Sequence, residues 1–459
     1  MPNHVHPDEI RSNFSSALSD MYKTEVPLYG DLLDLVADTN RRVLQSDSTL
    51  MHAMEESDQL HRLNVERHGA VRLGTAAELE TLRRVFAVMG MVPVGYYDLS
   101  VAGVPVHATA FRPIEEASLR RNPFRVFTSL LRLELIDNAE LRGEAEKILA
   151  RRDIFTGRCR ELLDVADAEG GLNLAQSTEF VQEVLETFRW HSEATVDVQT
   201  YRRLRSIHPL IADVVCFKGP HINHLTPRVL DIDDAQAEMK ARGIKAKTDI
   251  EGPPRNDCPV LLRQTSFLAL DEPIRFVGDA AHGTHTARFG EIEQRGCALT
   301  PEGRMRYDGL LQSALADTAQ GTDRAEAMRK AFEQWPNSLH ALFSEGLAFV
   351  RFLPGRAHLE QGRKLADGLS AQALVDEGWL QIEALVYEDF LPVSAAGIFR
   401  SNLGAEVRAG YEGGGNRAEF ERALGTAVRS EFSLYEAAQE RSLAEALKAC
   451  HAVPQTDGA

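Results

Sequence analysis

Residues 67–90, RHGAVRLGTAAELETLRRVFAVMG, constrain the fold more than any other stretch, because a strand, a capped helix and a helix stop follow one another there. HGAVRLG suits a strand, on which His68, Ala70 and Arg72 share one face. Ala70 leaves open space between the imidazole and the guanidinium. Thr75 and Glu78 make a T-x-x-E capping box, and Leu79, Leu82, Phe86 and Met89 form an apolar helix face that stops at Gly90. The β-branched and aromatic runs VPVGYYDL and VPVHATAF then read as strands, giving the order β-α-β-β.

A similar order is legible after residue 220. HINHLTPRVL reads as a strand, 233–242 as a helix closing at Gly243, and TDIEG, PVLLRQTSF and RFGEIEQRG as further strands. Both stretches carry H-x-x-x-R, as His68 with Arg72 and His224 with Arg228. Helical periodicity covers 7–21, 140–152, 178–190, 301–316, 325–335 and 417–450. The predicted class is therefore α+β, with large helical additions.

Composition removes several function classes. A net charge of −17 repels nucleic acid and anionic membrane, so an anionic substrate needs a local cation. The N-terminus MPNHVHPDEI lacks a basic, then apolar leader, and no apolar run reaches the roughly 18 residues of a span. A cytoplasmic location is the expectation, with neither nucleic acid nor membrane as partner. Five scattered cysteines, an odd number without CxxC, argue against a disulfide framework and a zinc knuckle. The G-x-S-x-G, Rossmann and Walker patterns are absent.

Three histidine groups sit on or beside predicted strands: His68 in ERHGAVRLGT, the pair in GPHINHLTPR, and His282 with His285 in AHGTHTARFGE. On a regular strand His221 and His224 point to opposite faces, so only one can serve a given site. His282 and His285 fall in a predicted Gly-rich loop and, like His107 and His191, are rivals for the metal, though without a carboxylate at helical spacing their H-x-x-H is not that of zinc peptidases, and a loop or supporting role is the expectation. RFGEIEQRG places Glu291, Glu293 and Arg295 on one face, as a metal-facing edge or as a solvated one. Two imidazoles and one carboxylate make the facial triad of non-haem Fe(II), but spacing alone does not choose between Glu291 and Glu293. Arg72 is either a bidentate clamp for a carboxylate or a strand residue paired to one of many acids.

The stretches YKTEVPLYGDLL, ERHGAVRLGT, FAVMGMVPVGYYDLS, PFRVFTSLLRLELID, FKGPHINHLTP, LLRQTSF, HTARFGEIEQRG and EDFLPVSAAGIF resemble the 2-oxoadipate dioxygenase/decarboxylase (hydroxyglutarate synthase) family of lysine catabolism. The resemblance implies vicinal-oxygen-chelate-like β-α-β-β-β modules forming a central curved sheet around a metal. It places Fe(II) on His68, His224 and Glu291, with Arg72 as the catalytic residue that holds a substrate carboxylate. It adds Val393, Ser394 and Gln264 as substrate-binding residues. The implied partners are a small 2-oxo dicarboxylic acid and O2, and the implied reaction turns 2-oxoadipate into 2-hydroxyglutarate and CO2 by decarboxylation and intramolecular hydroxylation. The implied organisation is a single catalytic unit over 1–459: a first metal-binding β module at 60–135, a helical insertion at 136–210, a second β module at 211–300, and a mainly helical part at 301–459 with a substrate-contacting segment at 388–402. A divalent-metal lyase or isomerase on the same scaffold, and a non-catalytic dicarboxylate sensor, are the competing readings.

Overall fold

The computed structural model describes residues 4–56, 59–278, 282–359, 368–391 and 416–451. The class is α+β, and the described residues fall into two compact units, one within 1–251, 264–294 and 390–429, the other within 252–263, 295–389 and 430–459.

The first unit is organised around a sheet of β1 (Arg67–Leu73), β2 (Val92–Asp98), β3 (Val106–Arg112), β4 (Arg125–Leu131) and β5 (Leu225–Pro227), in the order β2-β3-β4-β1-β5. The pairs β1–β4 are parallel, and β2–β3, β3–β4 and β1–β5 are antiparallel. Both faces are covered, which is why β3 and β4 are buried along their whole length. Val71 and Leu73 pack into one apolar cluster with Phe14, Leu82, Phe86 and Val126, while Ala70 packs into another with Tyr97, Ala108 and Phe127. The alternation read from HGAVR is therefore the one observed.

Between β1 and β2 runs the helix Ala76–Val88, and its start follows the predicted box. Thr75 Oγ1 accepts from Glu78 N at 3.2 Å, and the Glu78 carboxylate accepts from Gly74 N and Thr75 N. Such caps contribute about 1 kcal/mol. The chain leaves the helix through Gly90, at φ +69°, where a side chain would be strained.

The second run of elements, β5, the helix Ile232–Ala241, β6 (Leu262–Ser266), the hairpin β7 (Leu270–Arg275) with β8 (His282–Arg288), and β9 (Glu291–Arg295), departs from expectation in detail. Only three residues of HINHLTPRVL form a strand; residues 221–224 are an irregular segment tied to β1 by Asn223 N→Ala70 O at 3.1 Å. TDIEG supplies a single bridge, Glu251 to Gln264, before Gly252 turns at φ +104°. The predicted Gly-rich loop at His282 and His285 is a strand, because Thr284, His285 and Thr286 pair across to Pro273, Glu272 and Asp271. β6 pairs β9, and Val229 N→Glu293 O at 2.8 Å ties β9 to the chain leaving β5.

In the second unit, the antiparallel pair β10 (Val350–Pro354) and β11 (Leu380–Ala384) packs on the helix Glu431–His451, which accepts Val350 N at Gln439 Oε1 and Phe352 N at Ser442 Oγ. The helix expected over 417–450 is interrupted: Arg417–Leu424 closes at Gly425, φ +73°, and Glu431–His451 starts afresh. No described helix is long and apolar enough to cross a membrane.

Candidate metal centre

His68 enters the site from β1, His224 from the irregular segment ahead of β5, and Glu291 as the first residue of β9. One ligand atom from each lies within 4.8 Å of the others, and all three side chains are buried. The Glu291 Oε2 atom is the focus: His68 Nε2 stands 3.2 Å away and His224 Nε2 3.7 Å. Thr226 Oγ1 and Gln264 Nε2 each donate to the same oxygen at 3.0 Å. Burial pushes the His224 imidazole well below its ordinary pKa, with His68 and Arg72 adding to the effect, so the ring is neutral and offers a lone pair. Its Nδ1 is buried without a hydrogen-bond partner, and the ring stacks on Phe289 at 4.7 Å between centroids. Two imidazole nitrogens converging on one carboxylate oxygen fit a divalent metal of the Fe(II) or Zn(II) kind.

Strand parity left Glu291 and Glu293 equivalent, and the fold separates them. Glu293 Oε1 lies 3.2 Å from His68 Nδ1, on the opposite side of the ring from Glu291, and both its oxygens accept from Arg125 Nη2 at 3.1 and 2.9 Å. The arrangement puts a carboxylate at ion-pair distance behind a metal-facing histidine, the position from which such a group orients a ligating ring. Arg125 in turn lies over the Phe390 ring, 4.5 Å from its centroid.

The backbone that carries these side chains is cross-braced. Tyr22, from the helix Pro7–Glu25, donates to both Asn223 O at 2.9 Å and Phe289 O at 2.7 Å, one residue ahead of His224 and two ahead of Glu291. Phe289 N also donates to Asn223 O at 3.1 Å. Gly69 permits the close approach: a Cβ there would stand 2.7 Å from His224 O and from Ile222 Cδ1. At Gly290 a Cβ would meet the Phe267 ring at 2.3 Å.

A second buried polar cluster surrounds Arg72. Its Nη1 donates to Asp213 Oδ2 at 2.5 Å, His285 Nε2 lies 2.8 Å from Asp213 Oδ1, and the Tyr201 hydroxyl lies 2.9 Å from His285 Nδ1. With its amide oriented to suit its neighbours, Asn223 donates to Ala70 O and accepts from Arg72 Nη1 at 3.0 Å and His221 Nε2 at 3.2 Å. Burial alone would raise the Asp213 carboxyl; Arg72 and the His221 and His285 rings more than offset it and hold the group far below the usual carboxylate range. Burial pushes His221 down to about 3 against the opposing pull of Asp213.

Arg72 thus lies on the His68 face, as parity requires, and Gln264 lies against Glu291. Val393 and Ser394 fall outside the described residues. His221 and His285 belong to the Arg72 cluster, and His107 pairs with Tyr96 at 3.5 Å, where burial pushes it down to about 4. Burial lowers His191 as well. Neither joins the donor group. Sequence reading missed Tyr22, Arg125, Asp213 and Thr226. Two of them had a signal: Asp213 is the lone acid of PLIADVV and Arg125 the lone cation of RVFTSLL, charges set in runs destined for burial. Thr226 and Tyr22 had none, because only the register of β5 against β1, which pairs His68 with Thr226, brings the hydroxyl to Glu291.

A mixed α+β scaffold that buries two histidines and a glutamate around a shared point presents a donor set that fits a metal ion. A model of the 2-oxoadipate dioxygenase/decarboxylase family matches residues 14–402, and the chain belongs to that family of enzymes. It is 57% identical over 445 residues to the 2-oxoadipate dioxygenase/decarboxylase of Escherichia coli K12, covering 96% of this chain and 98% of the relative. The enzyme of the same name from Pseudomonas putida is 53% identical over 446 residues, 96% of each chain. The crystal structure of the hydroxyglutarate synthase from Pseudomonas putida in complex with 2-oxoadipate superposes with a TM-score of 0.90 at 51% identity, covering 98% of this chain and all of the other.

Proposed function

We propose that this chain converts 2-oxoadipate and O2 into 2-hydroxyglutarate and CO2, with Fe(II) held by His68, His224 and Glu291 and the distal carboxylate of the substrate held by Arg72. The observation that carries the reading is the convergence of His68 Nε2 and His224 Nε2 on Glu291 Oε2 in a buried site, joined to the family's named substrate. The reaction balances without a second 2-oxo acid: one oxygen atom of O2 enters the carboxylate left by loss of CO2, and the other becomes the new hydroxyl. When bound, Fe(II) supplies the chelation of the 2-oxo acid and the electron transfers that O2 chemistry requires.

The protein's own part is placement. Glu293 and Arg125 hold the His68 ring from behind, while Thr226 and Gln264 fix the Glu291 carboxylate. Arg72, on the same face of β1 as His68, anchors the far end of a short diacid, and its Cα lies about 13 Å from that of His68 at roughly 3.3 Å per residue. That anchoring turns the carbon to be hydroxylated toward the metal.

The test is an oxygen-electrode assay of metal-free protein reloaded separately with Fe(II), Mn(II) and Zn(II). The expected outcome is O2 uptake with Fe(II) only, matched mole for mole by CO2 and 2-hydroxyglutarate. Turnover of 2-oxoadipate under strict anaerobiosis, or equal turnover with Zn(II), overturns the proposal in favour of a lyase or isomerase.

A further inference from the structure

The Arg72 cluster contains more than a substrate anchor needs. Asp213 sits on the helix Pro209–Val215, among buried Leu210, Ile211, Ala212, Val214 and Val215. A carboxylate in such a position is costly unless it is paired and hydrogen-bonded on both oxygens. Here both are engaged: Oδ2 takes Arg72 Nη1 and Oδ1 faces His285 Nε2. His285 is itself immobilised, with Tyr201 OH at its other nitrogen, the Phe217 ring 4.7 Å away and the Trp190 ring parallel to it at 6.2 Å. Four elements, β1, β8 and the helices Val198–Ile207 and Pro209–Val215, thus meet in one line of polar contacts that includes the guanidinium. None of these residues reaches the donor atoms of His68, His224 and Glu291 in the hydrogen bonds described above.

We infer that Asp213, held in place by His285 and Tyr201, is a positioning residue that fixes the Arg72 guanidinium and so makes the site selective for 2-oxo acids with a second carboxylate. The inference rests on the reading of Arg72 as the anchor for that carboxylate. A free arginine side chain samples many rotamers, and each must be given up on binding. Asp213 removes that freedom beforehand by taking one guanidinium nitrogen. It also cancels the charge of Arg72, so an anion is not attracted wherever it lies. Recognition depends instead on whether a carboxylate reaches the guanidinium while the 2-oxo acid end occupies the metal centre. Selection is then by length and direction, which a neutralised but rigid cation enforces better than a mobile charged one.

The experiment measures dissociation constants of iron-loaded protein by calorimetry under anaerobic conditions, with 2-oxoadipate and with 2-oxohexanoate, which lacks the distal carboxylate. Asp213→Asn keeps the shape of the side chain and removes its charge. It is expected to weaken 2-oxoadipate about tenfold or more and to leave 2-oxohexanoate within about twofold, with iron content unchanged. Tyr201→Phe, which removes the hydroxyl at His285 together with its longer contact to Arg205 Nη1 at 3.5 Å, is expected to shift the same ratio in the same direction by a smaller factor, and it carries the test by itself if Asp213→Asn does not fold. Equal weakening of both acids, no change in either, or tighter binding of 2-oxoadipate overturns the inference. Arg72→Ala in the same assay separates the two layers. If it leaves the preference for the diacid intact, the anchor reading is wrong; if it abolishes the preference and the Asp213 and Tyr201 variants do not alter it, the anchor stands and the positioning role fails.

Discussion

At His68, two imidazoles and a carboxylate direct their ligand atoms at a common point, and a buried nitrogen of His224 is left without a hydrogen bond. Around Arg72, by contrast, cation meets carboxylate, carboxylate meets imidazole, and imidazole meets phenol. Both clusters are buried in the same unit, and both contain histidine and an acid. The difference lies in what each would gain from a positive ion. The first gathers electron-pair donors around one point, where a divalent cation would find its ligands; the second already contains its cation and is close to electrically complete. Histidine count therefore says little about metal binding, and the charge balance of the neighbours says more.

The comparison breaks first at the donor set. His224→Ala and Glu291→Ala should abolish stoichiometric iron, read by elemental analysis, and cut activity by more than about a hundredfold, since even indirect partners of a metal site are worth 10–100-fold. His285→Ala should leave iron in place; loss of iron there would mean that the two clusters are one site. A step smaller, Glu293→Gln should keep the metal but weaken it about 10–100-fold, measured by competition with a chelator. An iron loss as complete as that of Glu291→Ala would show that Glu293 is the ligand.

The bracing tyrosine comes next in size. Tyr22→Phe removes the donor shared by Asn223 O and Phe289 O, and should lower stability by about 1–3 kcal/mol in urea unfolding. Metal affinity should fall with it, because the same carbonyls belong to the segments that carry His224 and Glu291. The effect smallest at neutral pH is a control outside both clusters. His107 is buried neutral, its pKa pushed down to about 4, against about 6.5 in an unfolded chain. Below pH ~6.5 the unfolded state takes up a proton that the folded state refuses, so stability is full above that pH and falls by about 1.4 kcal/mol per unit as the pH drops toward 4. His107→Gln should flatten that slope without altering iron content.

Much of the site was legible because alternation along a strand is local. The direction of Cβ on successive residues of HGAVR puts His68 and Arg72 on one face whatever the strand pairs with, and T-x-x-E starts the following helix from its own side chains. The same rule put Glu291 and Glu293 on one face of RFGEIEQRG and stopped there. Where the rule was applied to an irregular segment, at HINHL, it had no basis, because close packing over Gly69 governs that chain instead of a ladder.

By itself, then, the sequence determined β1, its capped helix and the placing of His68 with Arg72 on one surface, and family resemblance named His68, His224 and Glu291 as the expected donor set. Tertiary structure alone decided that Glu291 faces Nε2 of His68 while Glu293 stands behind Nδ1, that Thr226 and Gln264 close on the same carboxylate, and that Arg72 is matched by Asp213. The reason is range. Side-chain alternation is set by neighbours one and two residues away, whereas these contacts join residues from 27 to 225 positions apart, as in Gln264 with Glu291 and His68 with Glu293, and exist only once β5 and β9 have taken their register beside β1.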